Sequence, residues 1–295
     1  MLRYVRKIGR PVVHEMVRAV SRDRVIGDNI ANARTVGTFL HKRGYEVTLA
    51  YWNRDDDSPE ATMSRYMEAA EALGGIGGKS YLSIKAPAFG YDVELLKGLL
   101  GRARELGVPL HFDAQGPQTA DRTFSLITDV IGVPLDGVGC TLPGRWQRSP
   151  DDADRLAGLG LAFRVVKGEW PDPDAPTLDP AKGFMDVVGR LAGRARSVRI
   201  ATHDPDLAQR SIRMLRDAGT PCDLEFLYGF PVRRLLPLPR DLDVPIRVYV
   251  PFGHGWIPYC VGYVRDRPAF LWWLAKDSLA GRYRNGFPVR PSAVG

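Results

Sequence analysis

From residue 45 onward, short apolar runs alternate with longer stretches in which apolar positions recur every three or four residues. The runs Val47–Tyr51, Tyr81–Lys85, Pro109–Asp113, Gly137–Cys140, Ala162–Val166, Val198–Thr202, Asp223–Phe226 and Ile246–Val250 predict eight strands. Between them, Pro59–Leu73, Val93–Leu106, Thr119–Ile131, Pro150–Leu156, Ala181–Ala195 and Asp206–Ala218 predict helices, most closing at glycine or small residues. Two helices, Arg3–Val20 and Ile30–Lys42, precede the first strand, the second closing at Gly44. A strand–helix unit repeated in this way points to a (β/α)8 TIM-type barrel with N-terminal helices. A doubly wound sheet shares the alternation, but no Gly-x-Gly-x-x-Gly opens a helix after the first strand. The organisation expected is an N-terminal helical segment (1–45) packed on the barrel, a barrel (46–281) ending in a helix over Trp256–Ala280, and an extended or mobile tail (282–295).

Composition narrows the function classes. The net charge of +7 comes from arginines spread along the chain, with no basic run interleaved with aromatics, which argues against nucleic-acid binding. No apolar run approaches the roughly 20 residues of a membrane span, and no apolar segment of secretory-signal type is evident at the N-terminus. Cys140, Cys222 and Cys260 lie far apart, in no metal-ligand spacing, and suit a reducing cytoplasm. His14, His41, His111 and His254 read as ordinary histidines. Trp272 and Trp273 read first as helix core, while tolerating peripheral contact with the inner membrane face.

The chemistry gathers where strands end, because in a barrel those C-terminal ends form one rim. Phe163–Gly168 is a β-rich run interrupted by Arg164 and Lys167, each of which needs an anionic or polar partner. A flavin or phosphorylated ligand would serve, with Gly168 admitting its backbone closely; structural salt bridges would serve equally. Lys85 suits a carboxylate, a Schiff base, or a solvated rim. Asp113 suits a substrate ammonium or a turn. Thr202-His203 at a strand-to-helix turn suits phosphate, while Thr202 or Asp204 equally suits a helix cap. Glu225, inside an apolar strand, needs a partner, for which Arg164 is a candidate.

Taken in order, these segments resemble the proline dehydrogenase family, over about residues 24 to 281. Ser83-Ile84-Lys85 resembles the family's second-strand lysine motif, and Phe112-Asp113-Ala114-Gln115 its Asp-Ala-Glu motif. Arg164-Val165-Val166-Lys167-Gly168 resembles Arg-Leu-Val-Lys-Gly, and Ala201-Thr202-His203-Asp204 resembles Ala-Thr-His-Asn. Glu225–Gly229 and Val248–Gly253 are similar to the seventh and eighth strands. The resemblance implies FAD as cofactor and oxidation of proline, or a related cyclic or secondary amine, at the carbon next to nitrogen. It implies Arg164 beside the flavin ring, with Lys167, Gly168, Thr202 and His203 toward the pyrophosphate and ribose and Glu225 in the cofactor's surroundings. It further implies Lys85, Asp113, Tyr249 and Tyr259 around the substrate, and a quinone or other electron acceptor.

Two departures are visible. Gly262 and Tyr263 stand where the family carries an arginine pair on the substrate carboxylate, with Asp266 at the acidic position that follows. Losing two charge-assisted bonds removes about 1.5–3 kcal/mol of substrate binding each. Cys140 aligns with a fourth-strand glutamine that meets the flavin, and is a much poorer hydrogen-bonding residue. Arg265 and the loop Arg145–Arg148 offer replacement cations. Two other readings stay open: a Schiff-base lyase or aldolase-like enzyme using Lys85 or Lys167, and a non-catalytic barrel relative.

Overall fold

The computed structural model of the chain describes residues 24, 26–131, 135–233, 235–255, 276 and 287–289. Eight parallel strands close into a barrel, each paired with its sequence neighbours and β8 with β1. They are β1 (Glu46–Tyr51), β2 (Tyr81–Ile84), β3 (Leu110–Phe112), β4 (Val138–Pro143), β5 (Ala162–Val166), β6 (Ser197–Ala201), β7 (Cys222–Leu227) and β8 (Ile246–Phe252). Around them run α1 (Ile30–His41), α2 (Pro59–Ile76), α3 (Val93–Glu105), α4 (Ala120–Ser125), α5 (Ser149–Leu156), α6 (Pro180–Leu191), α7 (Pro205–Asp217) and the short α8 (Leu238–Asp241). The expected (β/α)8 TIM-type barrel is the fold observed. No described helix is long and apolar enough to cross a membrane.

Local chemistry explains where the helices begin. Asn29, Ser58, Asp92, Asp179 and Asp204 each precede a helix and accept a backbone N–H of its first turn. Pro59, Pro180 and Pro205 follow three of these caps at the first helical position, where a missing N–H costs nothing. The segment predicted as one helix over 119–131 instead has a 3-10 turn at Pro117–Thr119, then α4, then a π-helical stretch at Leu126–Ile131. Thr123 and Thr128 donate to carbonyls four residues back, at 2.8 and 3.1 Å, a pattern that bends helices.

The strands sort their side chains by the two-residue period into two environments. Leu82, Ile84, Phe163, Val165, Val248 and Val250 face the helices and form the apolar core. The alternate positions fill the barrel with polar groups: Arg164, Arg247, Asp113, Glu225, Tyr81 and His111 are all buried. Charges so placed are tolerated only as a mutually bonded set.

One strand corrects an expectation. β4 does not end at Cys140 but continues to Pro143. Cys140 therefore lies mid-strand and belongs to the apolar core, while Thr141 beside it bonds inward to His111 and Asp113. Burial pushes the Cys140 thiol well above its ordinary pKa, and the charged groups it senses, Asp152 and Arg155, flank it from the α5 side.

Described residues on either side of the barrel also touch it. Arg24 donates to the Gly229 carbonyl at 3.1 Å, and Gly253 N–H to the Gly27 carbonyl at 2.8 Å. Phe287, inside the segment expected as an extended or mobile tail, is buried, edge-on to Tyr45 and stacked near Tyr228. The expected helices Arg3–Val20 and Trp256–Ala280 lie essentially outside the described residues, as do Tyr259, Cys260, Gly262, Tyr263, Arg265, Asp266, Trp272 and Trp273.

Candidate active site

Arg164 stands at the centre of the barrel mouth. Its guanidinium pairs with Asp113 through Nη2, and Nη1 lies 3.6 Å from Glu225 Oε1. It also sits over the Tyr249 ring, 5.0 Å from the centroid. Burial works against its charge, but Tyr81, Glu225 and Tyr249 outweigh that, so its pKa lies above the ordinary value. Arg164 Nε is buried and has no hydrogen-bond partner among the described residues.

Asp113 directly follows β3 and gathers donors from three strands. Tyr249 Oη donates to Oδ2 at 2.9 Å, Thr141 Oγ1 to Oδ1 at 3.4 Å, and Arg164 supplies the charge. Tyr249 in turn accepts the Trp52 indole N–H at 3.2 Å, so its phenol is held from both sides. Burial raises the Tyr249 pKa, and the phenol stays protonated as a donor.

Lys85 follows β2 directly, its backbone N–H bonded to the Tyr66 hydroxyl at 2.9 Å. Its ammonium donates to the Tyr51 carbonyl at 3.3 Å and rests 4.5 Å from the Trp52 ring centroid. It is buried, and desolvation pulls its pKa down to about 7, with Glu169 opposing.

Glu225 accepts Tyr81 Oη at 2.9 Å and Thr48 Oγ1 at 3.1 Å below Arg164, so its partners include the one expected. Deeper still, Arg199 and Arg247 approach the Tyr81 ring, at 4.5 and 4.7 Å from its centroid, and Arg247 pairs with Asp223 at 3.1 Å. Sequence reasoning missed Trp52, Tyr81, Thr141, Arg199 and Arg247. The signal was present, because each polar residue alternates with apolar ones in a predicted strand or follows one directly.

The rim residues divide. Lys167 Nζ bonds Asp204 Oδ2 at 2.9 Å, both side chains 41% exposed. Asp204 caps α7, accepting Leu207 N–H at 3.3 Å, and its own N–H donates to Thr202 Oγ1 at 3.2 Å. His203 is not free to donate to a phosphate: Nε2 accepts Leu227 N–H at 3.0 Å, so Nδ1 donates to the Pro231 carbonyl at 3.2 Å. Burial pulls its pKa down to about 4, only partly offset by that carbonyl, which keeps the ring neutral. Gly168 has φ of +92°, and a Cβ there would meet Pro143 Cβ at 2.8 Å, so the chain itself accounts for this glycine.

Lys85, Asp113, Arg164, Glu225 and Tyr249 thus share one charged cluster at the barrel mouth, and Lys167, Gly168, Thr202 and His203 follow the ends of β5 and β6 on its edge. Cys140 is apart from both, behind β4. Among the described residues no group of His, Cys, Asp and Glu is arranged to hold a metal. A flavin is compatible with this donor set: among the described residues Arg164 Nε is buried and without a hydrogen-bond partner, and Lys167, paired with Asp204, adds a half-exposed cation on the rim.

No family model matches the chain. Proline dehydrogenase 1 of Bacillus subtilis subsp. natto is 24% identical over 268 residues, covering 85% of this chain and 88% of the relative. Proline dehydrogenase of Deinococcus radiodurans is 25% identical over 303 aligned positions, covering 92% and 95%. Among solved structures, proline utilization A (PutA) from Bdellovibrio bacteriovorus inactivated by N-propargylglycine superposes with TM-score 0.68 at 16% identity, covering 82% of this chain. A bifunctional PutA superposes with TM-score 0.71 at 18% identity, covering 97% of this chain. The chain spans 32% and 35% of those two PutA chains, and at such identities the likeness shows the shared barrel. Sequence motifs in order, curated relatives matched over most of their length and a common barrel agree, and this chain is similar to the proline dehydrogenases across most of its length, at a divergent level of identity.

Proposed function

We propose that the chain is a flavin-dependent oxidoreductase that oxidises proline, or a closely related cyclic secondary amine, at the carbon next to nitrogen. The observation that carries this reading is the buried Arg164, fixed by Asp113 and Glu225, with Nε unpaired among the described residues. FAD, when bound, supplies the two-electron acceptor for the hydride that leaves that carbon, while the amine loses a proton and becomes an imine. Arg164 sets a permanent positive charge where negative charge accumulates on transfer. Lys85, in its charged form, holds the substrate carboxylate from the wall made by Tyr51 and Trp52. Asp113 and Tyr249, locked to each other and to Trp52, orient the amine ring and keep water from the reacting carbon. Lys167 and Thr202 hold the cofactor's phosphate side at the rim, with His203 shaping the turn rather than donating. Electrons then pass to a quinone or another acceptor, met at most peripherally at a membrane surface.

Titrating the purified protein with FAD at equilibrium tests the cofactor. A saturable change in flavin fluorescence, weakened in Arg164→Ala, is expected, and a titration that shows no saturable change contradicts the reading. The depressed pKa of Lys85 is the feature a Schiff-base lyase would share. Borohydride trapping of a carbonyl compound on Lys85 would favour that second reading, and absence of an adduct removes it.

A further inference from the structure

The rim cation assigned to the cofactor's phosphates already holds an anion. Lys167 Nζ bonds the Asp204 carboxylate at 2.9 Å, at the position where the resembling motif ends in asparagine. Asp204 is not free to swing away without cost, because the same carboxylate caps α7 through Leu207 N–H. Burial raises its pKa, but the bonds from Lys167 and Leu207 outweigh that and hold it below the ordinary value, so the carboxylate is charged at neutral pH. A phosphate approaching Lys167 therefore meets a fixed negative charge within hydrogen-bond distance of the ammonium it needs.

We propose that Asp204 is an internal competitor for the phosphate-bearing part of the ligand: it occupies Lys167 in the free protein and weakens the hold on any pyrophosphate seated there. This rests on the flavin reading above for the identity of the ligand, and on the Lys167–Asp204 pair alone for the competition. The chain then holds its cofactor loosely and in exchange with the medium, and a ligand with fewer phosphate charges is penalised less.

The test compares the full-length protein with Asp204→Asn, which keeps a capping oxygen and removes the charge, and with Asp204→Ser, which keeps a cap by a different side chain. Dissociation constants are measured for FAD and riboflavin by flavin fluorescence and for inorganic pyrophosphate by calorimetry. Both uncharged variants are expected to bind FAD and pyrophosphate about tenfold more tightly while riboflavin is unchanged, the exposed pair limiting the gain. Adding Lys167→Met is expected to abolish that gain. Unchanged or weaker pyrophosphate binding in both uncharged variants overturns the proposal, as does a gain that survives loss of Lys167. If pyrophosphate binding tightens while neither FAD nor riboflavin binds any variant, the competition stands and the flavin reading falls.

Discussion

Tyr249 on the last strand donates its phenol to Asp113 at the end of the third strand, 2.9 Å across the barrel mouth and 136 residues away in sequence. The bond fixes a carboxylate that Thr141 and Arg164 also hold. Tyr249→Phe removes the donor while keeping the ring over Arg164. About 1–2 kcal/mol of transition-state stabilisation is lost, so kcat/KM falls roughly five- to thirty-fold with little change in melting temperature. Steady-state kinetics beside a thermal melt read this, and a loss confined to stability would remove the positioning role.

Lys85 has its folded-state pKa lowered to about 7 from an ordinary value of 10.5. Its charge, and with it the hold on a substrate carboxylate, is present below that pH and is lost above it. The sign for stability is opposite: between about 7 and 10.5 the unfolded chain binds the extra proton, so unfolding free energy rises with pH through that window. Substrate-analogue affinity is expected to fall from pH 6 to pH 8.5, and Lys85→Met is expected to bind weakly and without that dependence. A wild-type affinity that stays flat across the window contradicts the assignment.

His203 is neutral when folded, with its pKa lowered to about 4, and buried His111 is lowered well below its ordinary 6.5. Below about pH 6.5 the unfolded chain takes up protons that these rings refuse, so stability present at neutral pH is lost as the pH falls toward 4. Urea unfolding at pH 7.5 and pH 5 is expected to show a lower midpoint in acid, with a smaller difference in His203→Gln. Equal differences in wild type and variant would show that His203 does not carry the effect.

Cys140 faces the helices and not the barrel mouth. Cys140→Ala is expected to cost about 1 kcal/mol of stability and to leave flavin affinity unchanged. Flavin titration of the variant checks this, and a several-fold weaker affinity would return Cys140 to the cofactor site.

Every strand was legible, because a parallel barrel strand is a short apolar run bounded by turn residues. The misplacement of Cys140 has a local cause. The predicted strand is Gly137–Cys140, whereas β4 runs on to Pro143, so the residue aligned with the family's flavin-meeting glutamine lies mid-strand and in the apolar core. Pro143 is tolerated at the strand's last position, where the ladder continues through Gly144 N–H to the Val166 carbonyl at 2.8 Å. Arg164 and Glu225 stood out because a charge in an apolar run demands a partner, and the structure supplies that partner. Arg247 and Asp223 carried the same signal but lie deeper, where no motif drew the eye. The role of His203 was beyond the sequence, since only the folded β7 places Leu227 N–H against its ring.

The most direct measurement is the visible spectrum of FAD-reconstituted protein under anaerobic conditions as proline is added. Bleaching of the flavin band in the wild type, and its loss in Arg164→Met, is the result expected of a flavin oxidoreductase built around Arg164. A flavin-loaded protein that does not bleach with proline or any cyclic secondary amine, or that bleaches equally well without Arg164, would contradict it.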